Sequence, residues 1–256
     1  MEVTEHDPGV PSWVDVGTDL AKGRAFYSSL FGWDCPEGSE ETGFYSTATL
    51  RGKPVAGIGP QQDGMPSVWT TYVNVDSADE VAEKVVAAGG QVMMPPMDVM
   101  EFGRMAIFVD PVGAAFGMWQ PGTHKGAGVV NEPGAYSWSE LMTTDVEGSK
   151  AFYNAVFDWG ADTQSAGPME YTEWKIGDRS VGGMLQMPPT LPAQVPPHWG
   201  VYFAVSDLDA AMMKVGELGG MALMGPMDTP AGKVAAVMDS NNAPFNMIQL
   251  SPNRGG

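Results

Sequence analysis

AFYSSLFGW at residues 25–33 and AFYNAVFDW at residues 151–159 share five of nine positions, 126 residues apart in a chain of 256. Phe26, Tyr27, Leu30 and Phe31 fall at the i, i+1, i+4, i+5 spacing of one helical face, so each copy predicts an amphipathic helix. Asp19 and Asp145 precede the two copies at the same distance, where a carboxylate accepts bonds from the first free helix N–H groups. Gly32 is the expected stop of the first helix and Gly160 that of the second.

The repeat extends in both directions. Thr18 pairs with Thr144 and VAGI at 55–58 with VGGM at 181–184, still 126 apart. The offset then slips to 130, where Trp69 meets Trp199, YVNV at 72–75 meets YFAV at 202–205, and Gly89-Gly90 meet Gly219-Gly220. At 129, Gly103 meets Gly232 and Asp110 meets Asp239. Slips of a few residues in loops are the mark of duplicated modules. The expected organisation is a tail over residues 1–10, one module over 11–120, a Gly- and Pro-containing linker over 121–133, and a second module over 134–251. Strand-like runs and a second capped helix recur within each module. The pattern predicts two β-α-β-β-β units per module, an α+β fold.

Composition excludes several function classes. The chain carries 31 Asp+Glu against 13 Lys+Arg, a formal charge of −18, which repels phosphate backbones and anionic membranes. No apolar run approaches the ~18 residues of a membrane span. The opening MEVTEHDPGVPSW has neither a basic nor an apolar leader region, and Cys35 is the single cysteine, so cytoplasmic residence is expected. Ten of the nineteen methionines cluster around 93–105 and 212–227; core packing is the expected role of most, with adaptable apolar pockets the alternative.

D-x5-A-F-Y-x3-F-x-W from Asp19, V-D-x-A-D-E with Gly89-Gly90, and F-V-D-P-V-G-A-A-F-G-M-W at 108–119 together resemble the vicinal oxygen chelate superfamily of glyoxalases, bleomycin-resistance proteins and extradiol dioxygenases. The resemblance covers nearly the whole chain, once per module. It is nearest to an actinobacterial two-module branch that includes the mycobacterial 27 kDa antigen. It implies tandem modules, each a half-barrel sheet curled from two βαβββ units, with the active site on the concave face. Metal-dependent members place His, His or Gln, and Glu ligands there, with open positions for a substrate.

Those ligand positions are implied by the resemblance and counted from the capping aspartates. The first-strand slot falls on Trp138 in the second module and on Ser12 or Trp13 in the first. The fifth-strand slot falls on Gly200 and Thr70, and the last-strand slot on Asn246 and Gly117. These residues do not make a metal triad, so no metal site is expected. His198 lies two residues before Gly200, on the same strand face but about 6.6 Å along it.

Aromatic residues recur at Trp13 and Trp138, Tyr45 and Tyr171, Trp69 and Trp199, Tyr72 and Tyr202, with Trp119 besides. Flat apolar walls with polar tips suit a hydrophobic or aromatic small molecule. Strand alternation puts Thr70, Tyr72 and Asn74 on one face and His198, Gly200 and Tyr202 on another. Trp13, Trp119, Trp138 and Asn246 complete the expected substrate-binding set. Glu140 lies two residues after Trp138, and Asp15 two after Trp13. A carboxylate on an apolar concave face has its pKa raised and serves as a general base; the alternative is a solvated strand-end acid. Glu140, His198, Asp15 and Tyr202 are the expected catalytic residues, with Glu101 and Glu173 further candidate acids. Arg104 and Lys233 could anchor an anion or form salt bridges.

The expectation is a metal-independent protein acting on a hydrophobic small molecule, in a hydroxylase-type or glyoxalase-like step of secondary metabolism. The alternatives are a binding protein that sequesters its ligand, as in bleomycin resistance, and a regulatory or antigenic protein with vestigial sites. No cofactor motif is present; a flavin would have to come from outside the chain if oxygen chemistry is involved. Monomer and homodimer both remain open.

Overall fold

Asp19 accepts the Lys22 N–H at 3.0 Å and opens α1 (Leu20–Phe31), which Gly32 closes at φ +73°. Ser77 caps α2 (Ala78–Ala87), Asp145 caps α3 (Val146–Phe157), and Asp207 caps α4 (Leu208–Glu217). The left-handed stop of α3 is Asp158 at φ +59°, not Gly160, which already opens a strand. Asp tolerates this conformation better than most residues with a side chain. The computed structural model of the protein describes residues 1–166, 169–192 and 194–251.

Residues of the first repeat build one sheet from β1 (Pro11–Thr18), β2 (Ser46–Leu50), β3 (Lys53–Pro60), β4 (Val68–Asn74), β5 (Gln91–Val99), β6 (Gly103–Val109) and β7 (Ala115–Pro121). Their order is β2-β3-β1-β4-β7-β6-β5. The second sheet holds β8 (Tyr136–Thr143), β9 (Gly160–Ala166), β10 (Met169–Ile176), β11 (Arg179–Gln186), β12 (His198–Ala204), β13 (Met221–Thr229), β14 (Gly232–Met238) and β15 (Pro244–Leu250). Its order is β13-β14-β15-β12-β8-β11-β10-β9. The architecture is α+β, with two curled mixed sheets. The first unit of the first sheet is one strand short of the expected βαβββ pattern. Where the second sheet has β9, the first has only the isolated bridge Asp34–Thr49.

In each sheet the two units meet at one antiparallel pair, β1–β4 and β8–β12. Both pairs carry a bulge, between Pro11 and Trp13 opposite β4, and between Tyr202 and Phe203 opposite β8. The extra residue sets Trp13 opposite Tyr72 as Trp138 stands opposite Tyr202. Trp13, not Ser12, is therefore the counterpart of Trp138.

The twin AFY segments join the modules. Phe26, Tyr27 and Phe31 of α1 pack with Phe203, Val237 and Phe245 of the second sheet, while Phe152 and Tyr153 of α3 pack with Phe108 and Phe116 of the first. The Tyr27 hydroxyl donates to Asp239 Oδ2 at 2.8 Å and accepts from Trp69 Nε1 at 3.0 Å. Tyr153 repeats this with Asp110 at 3.0 Å and Trp199 at 2.8 Å. The modules thus pack on each other within the chain.

The methionine clusters are not core. None of Met93, Met94, Met97, Met100, Met105, Met212, Met213, Met221, Met224 and Met227 is buried. The fully buried methionines among the described residues are Met118, Met184 and Met247. Residues 1–10 are not a free tail either. Gly9 accepts from the buried Trp159 indole at 2.8 Å, Val3 N–H donates to Gly128, and His6 Nε2 lies 2.9 Å from the Ala127 carbonyl.

Candidate functional site

Strand alternation brings Trp13 and Asp15 of β1 to one face. Register places Asp15 beside Gly57 of β3 and Thr70 of β4, and Tyr72 beside Gly117 of β7. In the second module Glu140 stands beside Gly183 of β11 and Gly200 of β12, and Tyr202 beside Asn246 of β15. The same four-residue arrangement results twice.

Trp13 Nε1 donates to the Tyr45 hydroxyl at 2.9 Å, and Tyr45 donates to Asp15 Oδ2 at 3.2 Å. Trp138 Nε1 donates to Tyr171 at 3.0 Å, and Tyr202 donates to Glu140 Oε1 at 2.8 Å. Tyr72 completes the first set on Asp15, and Tyr171 the second on Glu140. An indole N–H can only donate, so each chain runs one way, from indole through phenol to carboxylate. Desolvation pushes the Asp15 carboxyl up to about 7, although both phenols oppose the shift by stabilising its anion. Glu140, 8% exposed, is raised for the same first reason, again against its two tyrosines. Burial and the neighbouring acids keep the tyrosines protonated.

Glycine makes room for the rings. A Cβ on Gly57 would lie 1.7 Å from the Tyr45 hydroxyl, one on Gly183 2.0 Å from that of Tyr171, and one on Gly117 2.3 Å from the Tyr72 ring. The floor positions where the superfamily resemblance puts metal ligands thus hold indoles, glycines and the phenols that lie over them. Thr70 and Asn246 offer only neutral oxygen or amide donors. Among the described residues no group of three His, Cys, Asp or Glu could hold a metal ion. The donor set does not fit a divalent ion.

The remaining expected residues divide. Asn246 lies on the floor of the second cleft, its Nδ2 2.9 Å from where a Gly200 Cβ would be. His198 does not join the acid: it stands opposite Met142 at the start of β12, with Nδ1 2.8 Å from the Pro196 carbonyl, while both partners of Glu140 are tyrosines. Asn74 is buried, and its amide donates to the His6 carbonyl at 2.7 Å; it holds the N-terminal arm rather than facing the open cleft. Trp119 donates to the His124 carbonyl at 2.9 Å. His124 packs edge-on to Trp13, ring centroids 4.4 Å apart, and Ala127 and Val130 close over the same cluster. The indole and the β4 tyrosine of the first cleft are therefore covered, with Trp13 3% and Tyr72 5% exposed, while their counterparts Trp138 and Tyr202 stay partly open; Tyr45 and Tyr171 are alike part-buried, and Asp15 is less buried than Glu140. Arg104 bridges Asp98 and Asp79, at 2.8 and 2.9 Å.

Cross-strand pairing makes the methionine clusters a cleft wall, the alternative to core packing that the sequence left open. Met97 pairs with Met105 and Met94 with Ile107, beside Tyr72 and Trp119; Met227 pairs with Val234 and Met224 with Ala236, beside Ile248 and Asn246. Their sequence positions, 130 apart, were the available signal.

The family model of the Glyoxalase/Bleomycin resistance protein/Dioxygenase superfamily matches residues 16–118 and again 135–245. The chain belongs to this superfamily. Its resemblance extends over full-length members. It is 42% identical to "Putative glyoxylase CFP32" of Mycobacterium tuberculosis (strain CDC 1551 / Oshkosh), covering 97% of this chain and 98% of the relative. It is 40% identical to "Anthracycline biosynthesis protein DnrV" of Streptomyces peucetius, covering 97% and 96%. Among solved structures, the Mn(II)-bound glyoxalase of Novosphingobium aromaticivorans superposes with a TM-score of 0.64 at 16% identity, over 95% of this chain and 83% of that one. The 2,2',3-trihydroxybiphenyl 1,2-dioxygenase of Sphingomonas wittichii RW1 gives 0.64 at 14%, over 96% and 92%. These two share the superfamily fold; the Mn(II) is a property of the first of them. No helix among the described residues is long and apolar enough to cross a membrane.

Proposed function

We propose that this superfamily member binds a hydrophobic, ring-containing small molecule in its concave clefts and acts on it without a metal, as a step in secondary metabolism. The observation that carries the reading is the desolvated acid between two tyrosines, built twice on an aromatic floor. The relatives' place in anthracycline biosynthesis supports a polycyclic ligand. The second cleft is the working one, because its indole and its β12 tyrosine are open where Trp13 and Tyr72 are covered. There Glu140 exchanges a proton with the ligand, while Tyr171 and Tyr202 orient the carboxyl and Asn246 and Trp138 contact the ring system. Desolvation raises the Glu140 pKa, which moves the acid toward the balance point that general acid–base catalysis favours. A hydroxylase-type or glyoxalase-like outcome both need such a transfer; a hydroxylation would also need a flavin or reductase from outside the chain, or a substrate that activates oxygen itself. The low exposure of Glu140 favours one second reading, in which the neutral carboxyl only donates a hydrogen bond and the protein sequesters its ligand.

The test is a panel of hydroxylated polycyclic quinones, scored by thermal shift and by turnover. A ligand that binds the native state raises the melting temperature. Replacing Glu140 by Gln keeps the shape and removes the titrating group. The expected result is retained binding with turnover lower by about 100- to 10,000-fold. Binding without turnover in the wild type selects sequestration. Turnover that survives E140Q rules out the proton-transfer role.

A further inference from the structure

A cavity of about 260 Å³ opens outside the clefts, between the N-terminal arm, the start of β3 and the linker. Thr4, Lys53, Thr123, His124, Lys125 and Gly126 are among its lining residues. Its charge runs against that of the chain. In a protein of net charge −18 with 13 Lys+Arg, two of the cations meet here. The acid beside them is Glu2, 3.1 Å from Lys53 Nζ. Lys125 makes no ion pair among the described residues, and shares this with Lys22, Lys84 and Lys233; Arg24, Arg51, Arg104, Lys150, Lys175, Arg179 and Lys214 each pair with a carboxylate.

The backbone adds donors. His124 and Ala127 N–H groups are bonded to Phe102 and Ser12 carbonyls, but those of Lys125 and Gly126 have no acceptor among the described residues. Gly126 sits at φ +95°, and a Cβ there would lie 2.6 Å from the Ser12 carbonyl oxygen, so the turn needs glycine. Two successive N–H groups without acceptors are donors that an anion can take.

We propose that this cavity is a binding site for a small organic anion carrying a phosphate or carboxylate group, held by the Lys53 and Lys125 ammonium groups and the Lys125–Gly126 N–H pair. The volume is below the ~300–1,000 Å³ of drug-sized ligand sites, so the occupant is smaller than the polycycle assigned to the clefts. The site abuts the first cleft: His124 lines it and packs against Trp13, which starts the chain to Asp15.

Inorganic phosphate is the probe, titrated into the full chain at constant ionic strength while backbone amide resonances are followed by NMR. The Gly126 amide is expected to shift saturably with phosphate and not with matched chloride. Lys125→Gln is expected to weaken phosphate about ten-fold, as for loss of a charged hydrogen-bond partner, and Lys125→Arg to hold it within about three-fold of wild type. Acetate and glycerol phosphate in parallel distinguish a carboxylate from a phosphate-ester occupant; saturation by one of them supports the site and names its class. A shift that is linear and equal for chloride means an adventitious ion only and overturns the proposal. Unchanged affinity in Lys125→Gln overturns it too.

Discussion

Asp15 and Glu140 sit where solvation argues against charge, and that makes them testable through stability. The Asp15 carboxyl titrates at about 7 in the fold against 3.8 unperturbed. Between these values the folded state holds a proton that the unfolded state releases. The group's contribution is most favourable below about pH 4 and is lost as pH rises to 7. Asp15→Asn should therefore gain on the wild type as pH rises from 4 to 8, by an amount bounded at about 4 kcal/mol. Melting curves across that range check it; a constant difference would mean that Asp15 is ordinarily solvated. Gly183→Ala tests the floor. Its Cβ would meet the Tyr171 hydroxyl, so the ring must leave Glu140 or the backbone must shift, at a cost of about 1–3 kcal/mol. Equal stability and an unmoved Tyr171 would refute the close approach. Counting from the helix caps found Trp13, Trp138, Asp15 and Glu140, because strand parity carries a face over two residues. It could not show that Tyr45 and Tyr171 complete the site. Tyr45 precedes β2, Tyr171 lies on a strand two places from β8, and both contacts depend on glycines whose importance shows only in three dimensions. His198 shares the parity of Gly200, but parity does not fix depth along a strand.

At the scale of elements, the repeated helices were legible as helices and illegible as joints. Their caps and apolar faces are local properties, whereas the partners of Tyr27 and Tyr153 lie 212 and 43 residues away. Since α1 is anchored in the second module and α3 in the first, neither sheet keeps its buried face alone. Unfolding should follow a single transition, monitored by tryptophan fluorescence and far-UV circular dichroism together. Tyr27→Phe strips the buried Asp239 of a donor and Trp69 of an acceptor, and should cost about 1–3 kcal/mol. Two separate transitions would mean that the modules do not depend on each other. The methionine strands also turned on environment: β5 and β13 are sheet edges, so residues that look like core in the sequence are left open beside the clefts. A flexible thioether wall adapts to ligand shape. Replacing Met224 and Met227 by Val should narrow the range of quinones that raise the melting temperature, without moving that of the free protein by more than a few degrees.

The whole molecule repeats its fold more faithfully than its access. Both modules hold an indole, two phenols and an acid, yet the first is closed by material that the second lacks among the described residues. The linker lays His124, Ala127 and Val130 over Trp13 and Trp119, and the arm holds the linker through Val3–Gly128 and His6–Ala127. Asn74 secures the arm in turn through the His6 carbonyl. Duplication followed by unequal covering gives one open cleft and one guarded cleft in a single chain. The expected stoichiometry of a cleft ligand is one per chain, at the Glu140 site. Deleting residues 1–8 leaves the Gly9 contact to Trp159 in place and removes the strap from the linker. A second, weaker binding event should then appear in calorimetry, and Asp15→Asn should alter that event while leaving the first unchanged. Two equivalent sites in the intact chain, or no second event after the deletion, would show that covering does not distinguish the clefts.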